Sequence, residues 1–508
     1  MAPNQGPELF FGLVGAVGSR LTQVVKTLTN SLQRVGYHVE PVRIIDSLHQ
    51  IEQFHSTMVT GPEDQRYLTY MNAGDQFRQM TGLDDALARL AIGSVREKRK
   101  QKNTAGESKD PPISRCAYVF HSLKHPKEID LLRTIYGPNF YLISAYVPRE
   151  TRIENLLASI AASNYDSQRE SYRPVAVELV KRDENDDNKP HGQKVRDSFP
   201  EADLFVDALN PIALKSSIDR FIEILFGHPF HTPNKSEFAM FHAQAAAYRS
   251  AALGRQVGAA ISTPTGDIIA VGANEVPKFG GGLYWSDDQD DGRDFRSTYD
   301  VSDRKKRELL AEVLKRFADD KWFEGGKHAG KSVQALFDHA TPLLRSTRLM
   351  SLIEFGRAVH AEMAALLDAA RRGIAVKGST LFTTTFPCHD CARHIIAAGV
   401  SRVTYIEPYP KSLAEEFHLD AIVIDPVGEV TNKLVFQPFF GIAPRLYSQS
   451  FRMPKRKDRQ GEVMEWQASI DRLPKLAVTS LAYIDSERVE LDELDRKLDA
   501  AHLKVASS

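Results

Sequence analysis

Val359-His360-Ala361-Glu362 and, further on, Pro387-Cys388-His389-Asp390-Cys391 are the stretches from which the rest of this 508-residue chain is read. His360 offers an imidazole. Cys388 and Cys391 offer thiolates at a spacing that lets both sulfurs face one point when it falls at a helix start. Free N–H groups and the helix dipole at such a start also favour the thiolate form. Three N/S ligands are the usual count for a catalytic zinc, whose fourth tetrahedral position is left for water. Two thiolates cancel the ion's charge, so its water stays less acidic than at an all-histidine site, where the pKa falls to about 7. A separate base is then needed, and Glu362 stands two residues from a ligand. Cys-x-x-Cys also fits a redox pair or half of a structural zinc site. A structural site of four cysteines is excluded by count, since the chain has 3 cysteines and the other one is Cys116. The redox reading leaves His360 and Glu362 without a role.

Around these ligands the sequence predicts helix, strand, helix. Glu362–Ala370 is rich in helix formers, and Ala392–Ala398 reads the same way and stops at Gly399. Ser379–Phe386 between them is β-branched and aromatic, which predicts a strand. Upstream, a helix from about Ser236 leads into Gly258–Ile261, a turn at Pro264–Asp267 and Ile268–Pro277, a predicted β-hairpin. The N-terminal part opens differently. Leu9–Gly15 is a short buried-strand pattern, a glycine turn follows, and then a helix from about Arg20 to Arg34 with Leu21, Val24, Val25, Leu28 and Leu32 on one face. Strand, glycine turn, helix and strand open a parallel α/β domain in which backbone N–H groups cradle phosphate. Gly12, Gly15, Gly18 and Ser19 are the candidate nucleotide-binding residues. The turn departs from a Walker motif: Val17 stands where glycine is expected, and Gly18 where the phosphate lysine belongs. Ser19 still fills the hydroxyl position that faces magnesium, and a purely structural tight turn stays open beside the nucleotide reading.

The order of elements up to about residue 230 resembles a small nucleoside-monophosphate kinase with a degenerate phosphate loop. The pattern H-x-E…P-C-x-x-C is that of zinc nucleobase deaminases. Arg249-Ser250…Arg255-Gln256-Val257-Gly258-Ala259, Gly272–Pro277, Val359–Glu362 and Thr385–Cys391 follow in the order seen in deoxycytidylate deaminases. The whole arrangement resembles the anti-phage dCTP deaminases of bacteria, a kinase-like domain fused to a deaminase domain. That resemblance implies a P-loop, kinase-like parallel-sheet domain over 1–230 and a three-layer αβα cytidine deaminase-like domain over 236–450. A basic and helical tail over 451–508 would follow. It implies one Zn2+ per chain on His360, Cys388 and Cys391, with Glu362 moving protons from water to the ring nitrogen and the departing ammonia. Asn274 would hold the deoxyribose or base edge, and Arg255 would lie near phosphate; a hairpin-capping Asn and a solvated Arg are the plain alternatives. The implied substrates are dCTP and dCMP. Mg2+ would accompany nucleotide, a homo-oligomer as large as a hexamer would form, and an inhibitory small RNA would restrain the enzyme.

Departures from the family pattern sit in the insert Lys278–Arg357, which is far longer than a hairpin connection. It is acidic at Asp287, Asp288, Asp290, Asp291 and Asp294, an odd neighbour for a triphosphate unless magnesium bridges. Lys411 is a further candidate phosphate contact. Glu97–Asp110 and Lys181–Lys194 are expected to be mobile charged loops, and Leu491–Leu503 a helical partner contact.

Composition sets the outer limits. A formal net charge of −1 gives no basic field to attract a polynucleotide. Deamination of tRNA or single-stranded DNA is therefore the alternative enzyme reading, and a nucleotide-sensing scaffold the non-enzymatic one. The few cysteines predict a reducing compartment. Without an apolar run of ~18 residues or a basic leader, the expectation is a cytoplasmic protein with no membrane span.

Overall fold

Leu9–Val14 (β1) is buried along its whole length, as expected of a strand covered on both faces in a parallel sheet. In the computed structural model it lies between β3 (Cys116–Leu123) and β4 (Phe140–Tyr146). β2 (His38–Arg43) and β5 (Leu204–Asp207) pair parallel on the outside, so the strand order is β2-β3-β1-β4-β5. The two-residue strand Gly441–Ile442 adds antiparallel to β5. The structure describes residues 6–102, 111–184, 186, 191–297, 299–323, 327–344, 347, 349–409, 412–426, 428, 430–452, 455–470, 472–475 and 482–505.

The chain divides into two units, Met1–Glu237 with Phe439–Ser508, and Phe238–Pro438. Three expectations change in the first unit. The segment from Phe439 belongs to the first unit, so 439–450 leaves the expected deaminase domain and 451–508 is not a separate tail. Ile442 N–H donates to Glu237 at 2.8 Å, and Leu494, Leu498 and Leu503 are buried in the first unit's core. The helix Ala482–Ala500 thus buries Tyr483, Ile484, Leu494 and Leu498 within its own unit. The charged stretch from Glu97 is helical to Lys102, and Arg99 is fully buried between Glu8 (2.8 Å) and Glu487 (2.5 Å). Residues 103–110 lie outside the described ones. Likewise Lys181–Glu184 ends the helix Arg173–Glu184, and Asp183 is buried. These charges are buried because opposite charges distant in sequence meet them, which a local reading of polarity misses.

The second unit has a sheet in the order β10-β11-β9-β8-β6-β7. β6 (Gly258–Ser262) and β7 (Ile268–Ala273) form the expected hairpin, and β6 also runs antiparallel to β8 (Thr380–Thr385). β8, β9 (Arg402–Glu407), β11 (Leu434–Pro438) and β10 (Ile422–Ile424) pair parallel. Two glycines seat helices on this sheet. A Cβ on Gly258 would lie 1.9 Å from Ala243 O, and one on Gly272 would lie 2.2 Å from Ala361 O. Gly258 pairs with Ala273 and Gly272 with Ala259, so the two glycines point to opposite faces. Lys235–Ala247 and Ala361–Arg371 therefore cover opposite sides, giving helix, sheet, helix layers. Val359 and Glu275 exchange backbone bonds of 3.0 and 3.2 Å, which pins both ends of the long insert beside the site.

Candidate functional site

His360 immediately precedes the helix Ala361–Arg371, and Cys388 caps the helix His389–Ala397. β8 connects the two, so its end delivers the sulfurs to the start of the first helix. His360 Nδ1 stands 3.2 Å from Cys388 Sγ and 3.4 Å from Cys391 Sγ. The three ligand atoms all lie within 4.8 Å of one another. Zinc–sulfur bonds of about 2.3 Å and zinc–nitrogen bonds of about 2.1 Å set tetrahedral neighbours about 3.6 Å apart. The two nitrogen–sulfur separations need to open by only a few tenths of an ångström, and the soft donor set suits zinc. The residues present fit the ion.

Electrostatics agree with a site made for a cation. Beside Cys391 and His360, the Cys388 thiol is held down to about 4. Cys391 N–H donates to the same sulfur at 3.4 Å. The bond to Cys388 raises His360 to about 9, and Cys391, beside Cys388, buried and close to Glu362, is raised. Glu362 is 4% exposed, and burial pushes its carboxyl up to about 7. Its Oε2 accepts from the Cys391 thiol at 3.5 Å, so it sits against the ligand trio without belonging to it. A carboxyl with that affinity for a proton is suited to taking one and returning it.

His360, Cys388 and Glu362 open on a cavity of about 200 Å³ whose lining also includes Asn274, Arg255, Ile353, Phe386 and Tyr409. The structure thus gathers His360, Cys388, Cys391, Glu362, Asn274 and Arg255 at one place. Asn274 is occupied with the backbone: Oδ1 accepts from Val257 N–H at 2.7 Å and Nδ2 donates to Arg255 O at 2.8 Å. It braces the hairpin entrance and at the same time lines the cavity. Arg255 is half-exposed and ion-paired with Glu407, whose other oxygen accepts from Thr385 Oγ1 at 3.2 Å. Sequence reasoning misses Glu407; its place at the end of β9, facing Thr385 in register, is the one signal that points to it. Phe386 packs between Tyr405 and Phe436, at 4.9 and 5.1 Å between ring centres, and makes a rigid wall. The acidic insert is less free than its composition implies. Asp288 pairs with Lys278, Asp291 with Arg293 at 2.8 Å, and Asp294 with Arg357 at 2.9 Å. Those three carboxylates serve internal pairs, and nothing here supports a magnesium role. Lys411 lies outside the described residues.

In the first unit, Gly15, Gly18 and Ser19 line a separate cavity of about 410 Å³ at the carboxyl end of β1. Gly12 does not. It lies within β1, where a Cβ would meet Leu123 at 2.6 Å and Leu142 at 2.8 Å, so this glycine serves sheet packing and not the turn. Arg20 is held by Asn155 Oδ1 at 2.9 Å.

Residues 233–407 match the family model of the cytidine and deoxycytidylate deaminase zinc-binding region. The second unit therefore carries a zinc domain of that class, and the ligand trio lies inside the matched span. Among individual proteins, the deoxycytidylate deaminase of Enterobacteria phage T4 is 43% identical over 54 residues, 11% of this chain and 28% of the phage protein. A probable deoxycytidylate deaminase of Drosophila melanogaster is 39% identical over 79 residues, 15% of this chain and 38% of that protein. The chain thus spans well under half the length of either relative. A crystal structure of dCMP deaminase from the cyanophage S-TIM5 with dCMP and dUMP is 19% identical, covering 41% of this chain and 98% of that one, at a TM-score of 0.23. Among the described residues no helix is long and apolar enough to cross a membrane.

Proposed function

We propose that the protein hydrolytically deaminates free deoxycytidine nucleotides, dCTP and also dCMP, to deoxyuridine nucleotides, and that it drains the deoxycytidine pool in defence against phage. The observation that carries this reading is the clustering of His360, Cys388 and Cys391 beside the buried Glu362, with His360, Cys388 and Glu362 lining one small cavity. Bound to the trio, zinc supplies a Lewis acid and an acidified water. The chain's own residues do the rest. Glu362 takes one proton from the water and gives it to the ring nitrogen, then takes the second from the hydroxyl added at the ring carbon and gives it to the amino group as it leaves as ammonia. Phe386 walls the base side, and Arg255 with its Glu407 partner stands at the exposed rim, where a phosphate would compete for the guanidinium. A cavity of about 200 Å³ suits a single base, and a net charge of −1 gives a polynucleotide little to bind.

In the same reading the glycine turn Gly15–Ser19 is a nucleotide site that senses or restrains, the chain assembles as a homo-oligomer, and a small RNA regulator holds it in check. The deciding experiment incubates the purified full chain with dCTP, dCMP and a cytosine oligonucleotide and follows ammonia release. Release from the monomers alone supports the proposal. Release from the oligonucleotide alone, or from none of the three by zinc-loaded protein, overturns it.

A further inference from the structure

The turn of the first unit lacks the lysine that a phosphate loop normally supplies, and the structure gives a steric reason. Gly18 has φ +86°, and a Cβ there would lie 2.7 Å from Arg152 O. No side chain fits at that position, because the helix Arg149–Ser163 packs directly on the loop.

A cation is nevertheless present. Lys124, just beyond β3, reaches across from the neighbouring strand. Its Nζ donates to Gly15 O at 3.1 Å and pairs with Asp183 at 2.8 Å. Asp183 is fully buried, and its other oxygen accepts from Val17 N–H at 2.6 Å. A carboxylate thus sits where a loop N–H and a lysine converge, the arrangement by which such loops hold a phosphate oxygen.

Two further side chains point to a ligand. Ser19 Oγ and Gln193 Oε1 have no hydrogen-bond partner among the described residues, although Ser19 is 2% and Gln193 6% exposed. Both line the same cavity of about 410 Å³. Buried polar atoms are rarely left unpaired without a reason. The lining carries five Arg or Lys side chains against three carboxylates, and Asp183 is one of the three. The crevice lies at the carboxyl ends of β1 and β3, where open α/β sheets bind ligands.

We propose that this cavity binds the phosphate group of a nucleotide through Lys124, which enters from β3 in place of the missing loop lysine, with Asp183 holding the phosphate position until the ligand displaces it. Ser19 and Gln193 gain their partners from the ligand. The proposal rests on the reading of the glycine turn as a nucleotide site and adds which residues bind and what opposes them.

The test is equilibrium binding of mant-labelled ATP to the full chain, with inorganic tripolyphosphate as competitor, for wild type, Asp183→Asn, Lys124→Met and Lys124→Arg. Thermal unfolding and zinc content check that each variant is folded. Asp183→Asn keeps the size and an acceptor for Val17 N–H but removes the competing charge, so it should bind at least tenfold tighter than wild type. Adding Lys124→Met to it should abolish that gain, and Lys124→Arg should keep most of it. Competition by tripolyphosphate places the phosphates in the site; failure to compete means that the base side carries binding and overturns the proposal. Equal or weaker binding by folded Asp183→Asn also overturns it. If wild type binds and folded Lys124→Met binds equally well, the nucleotide reading of the turn survives and this inference falls. If no folded variant binds, both fall.

Discussion

Replacing Glu362 by Gln separates metal binding from chemistry. The three ligand atoms belong to His360, Cys388 and Cys391, so the variant should hold zinc at the wild-type stoichiometry. Gln still offers an oxygen to the Cys391 thiol, which donates to Glu362 Oε2 at 3.5 Å, so the local packing has no reason to change. What is lost is a group that exchanges protons. A positioned acid or base contributes about 10²–10⁴-fold to rate. In the proposed reaction one carboxylate serves the water, the ring nitrogen and the leaving ammonia in turn. At 4% exposure it leaves little access for bulk water to replace it. The upper end of that range is therefore expected, a fall in kcat of about 10⁴, or about 5.4 kcal/mol of barrier at 1.36 kcal/mol per decade. The measurement is ammonia release from dCTP and dCMP, paired with zinc content by elemental analysis. A variant with full zinc and a rate within tenfold of wild type would refute the role assigned to Glu362. One that loses its zinc would refute the separation of base from ligands.

Gly272→Ala places a methyl 2.2 Å from Ala361 O and 2.4 Å from Ala365 N, both backbone atoms of the helix that follows His360. Overpacking of this kind costs about 1–3 kcal/mol or more; zinc affinity and melting temperature should fall together, whereas unchanged zinc affinity would show that the helix does not position the ligand. Asn274→Ala removes the brace between Val257 N–H and Arg255 O. A hydrogen bond of this kind is worth about 1 kcal/mol, so KM should rise several-fold with kcat less affected; steady-state kinetics showing the reverse would place Asn274 in the chemical step. Arg99→Met strands the carboxylates of Glu8 and Glu487, both fully buried. Removing one partner of a buried network costs about 3–5 kcal/mol, so the urea midpoint of the first unit should drop sharply; the double variant Arg99→Met with Glu487→Gln should recover part of the loss.

The pattern of what can be read from the sequence follows the distance over which each contact acts. The ligand trio and Glu362 are legible because helix starts fix them locally: Cys388 and Cys391 are one helical turn apart, and Glu362 follows His360 by two residues. The hairpin β6–β7 is legible from its turn residues. The glycine turn is legible as a turn, but Gly12 does not belong to it, because a strand glycine and a loop glycine look alike until the neighbours Leu123 and Leu142 are known. The fate of the charged segments is hidden. Arg99 reads as part of a solvated basic run, yet Glu8 and Glu487 reach it from opposite ends of the chain. Asp183 reads as one of several acids before a polar loop, yet it meets Lys124 and Val17 across 59 and 166 residues.

Those long-range pairs also explain why the C-terminal segment belongs with the first unit. Glu487 lies on the helix Ala482–Ala500 and completes the pairing of Arg99. Tyr483 on the same helix donates to Glu8 at 2.8 Å, and Tyr136 donates to Glu487 at 2.9 Å. A buried Arg–carboxylate cluster is favourable only when every member is satisfied, so Arg99 and Glu8 cannot be buried at low cost until the end of the chain has arrived. The N-terminal sheet therefore depends on residues beyond the zinc unit in sequence. A cut made after the helix Pro211–Leu225 removes those partners and should leave a fragment that does not hold its core, however complete its five parallel strands look.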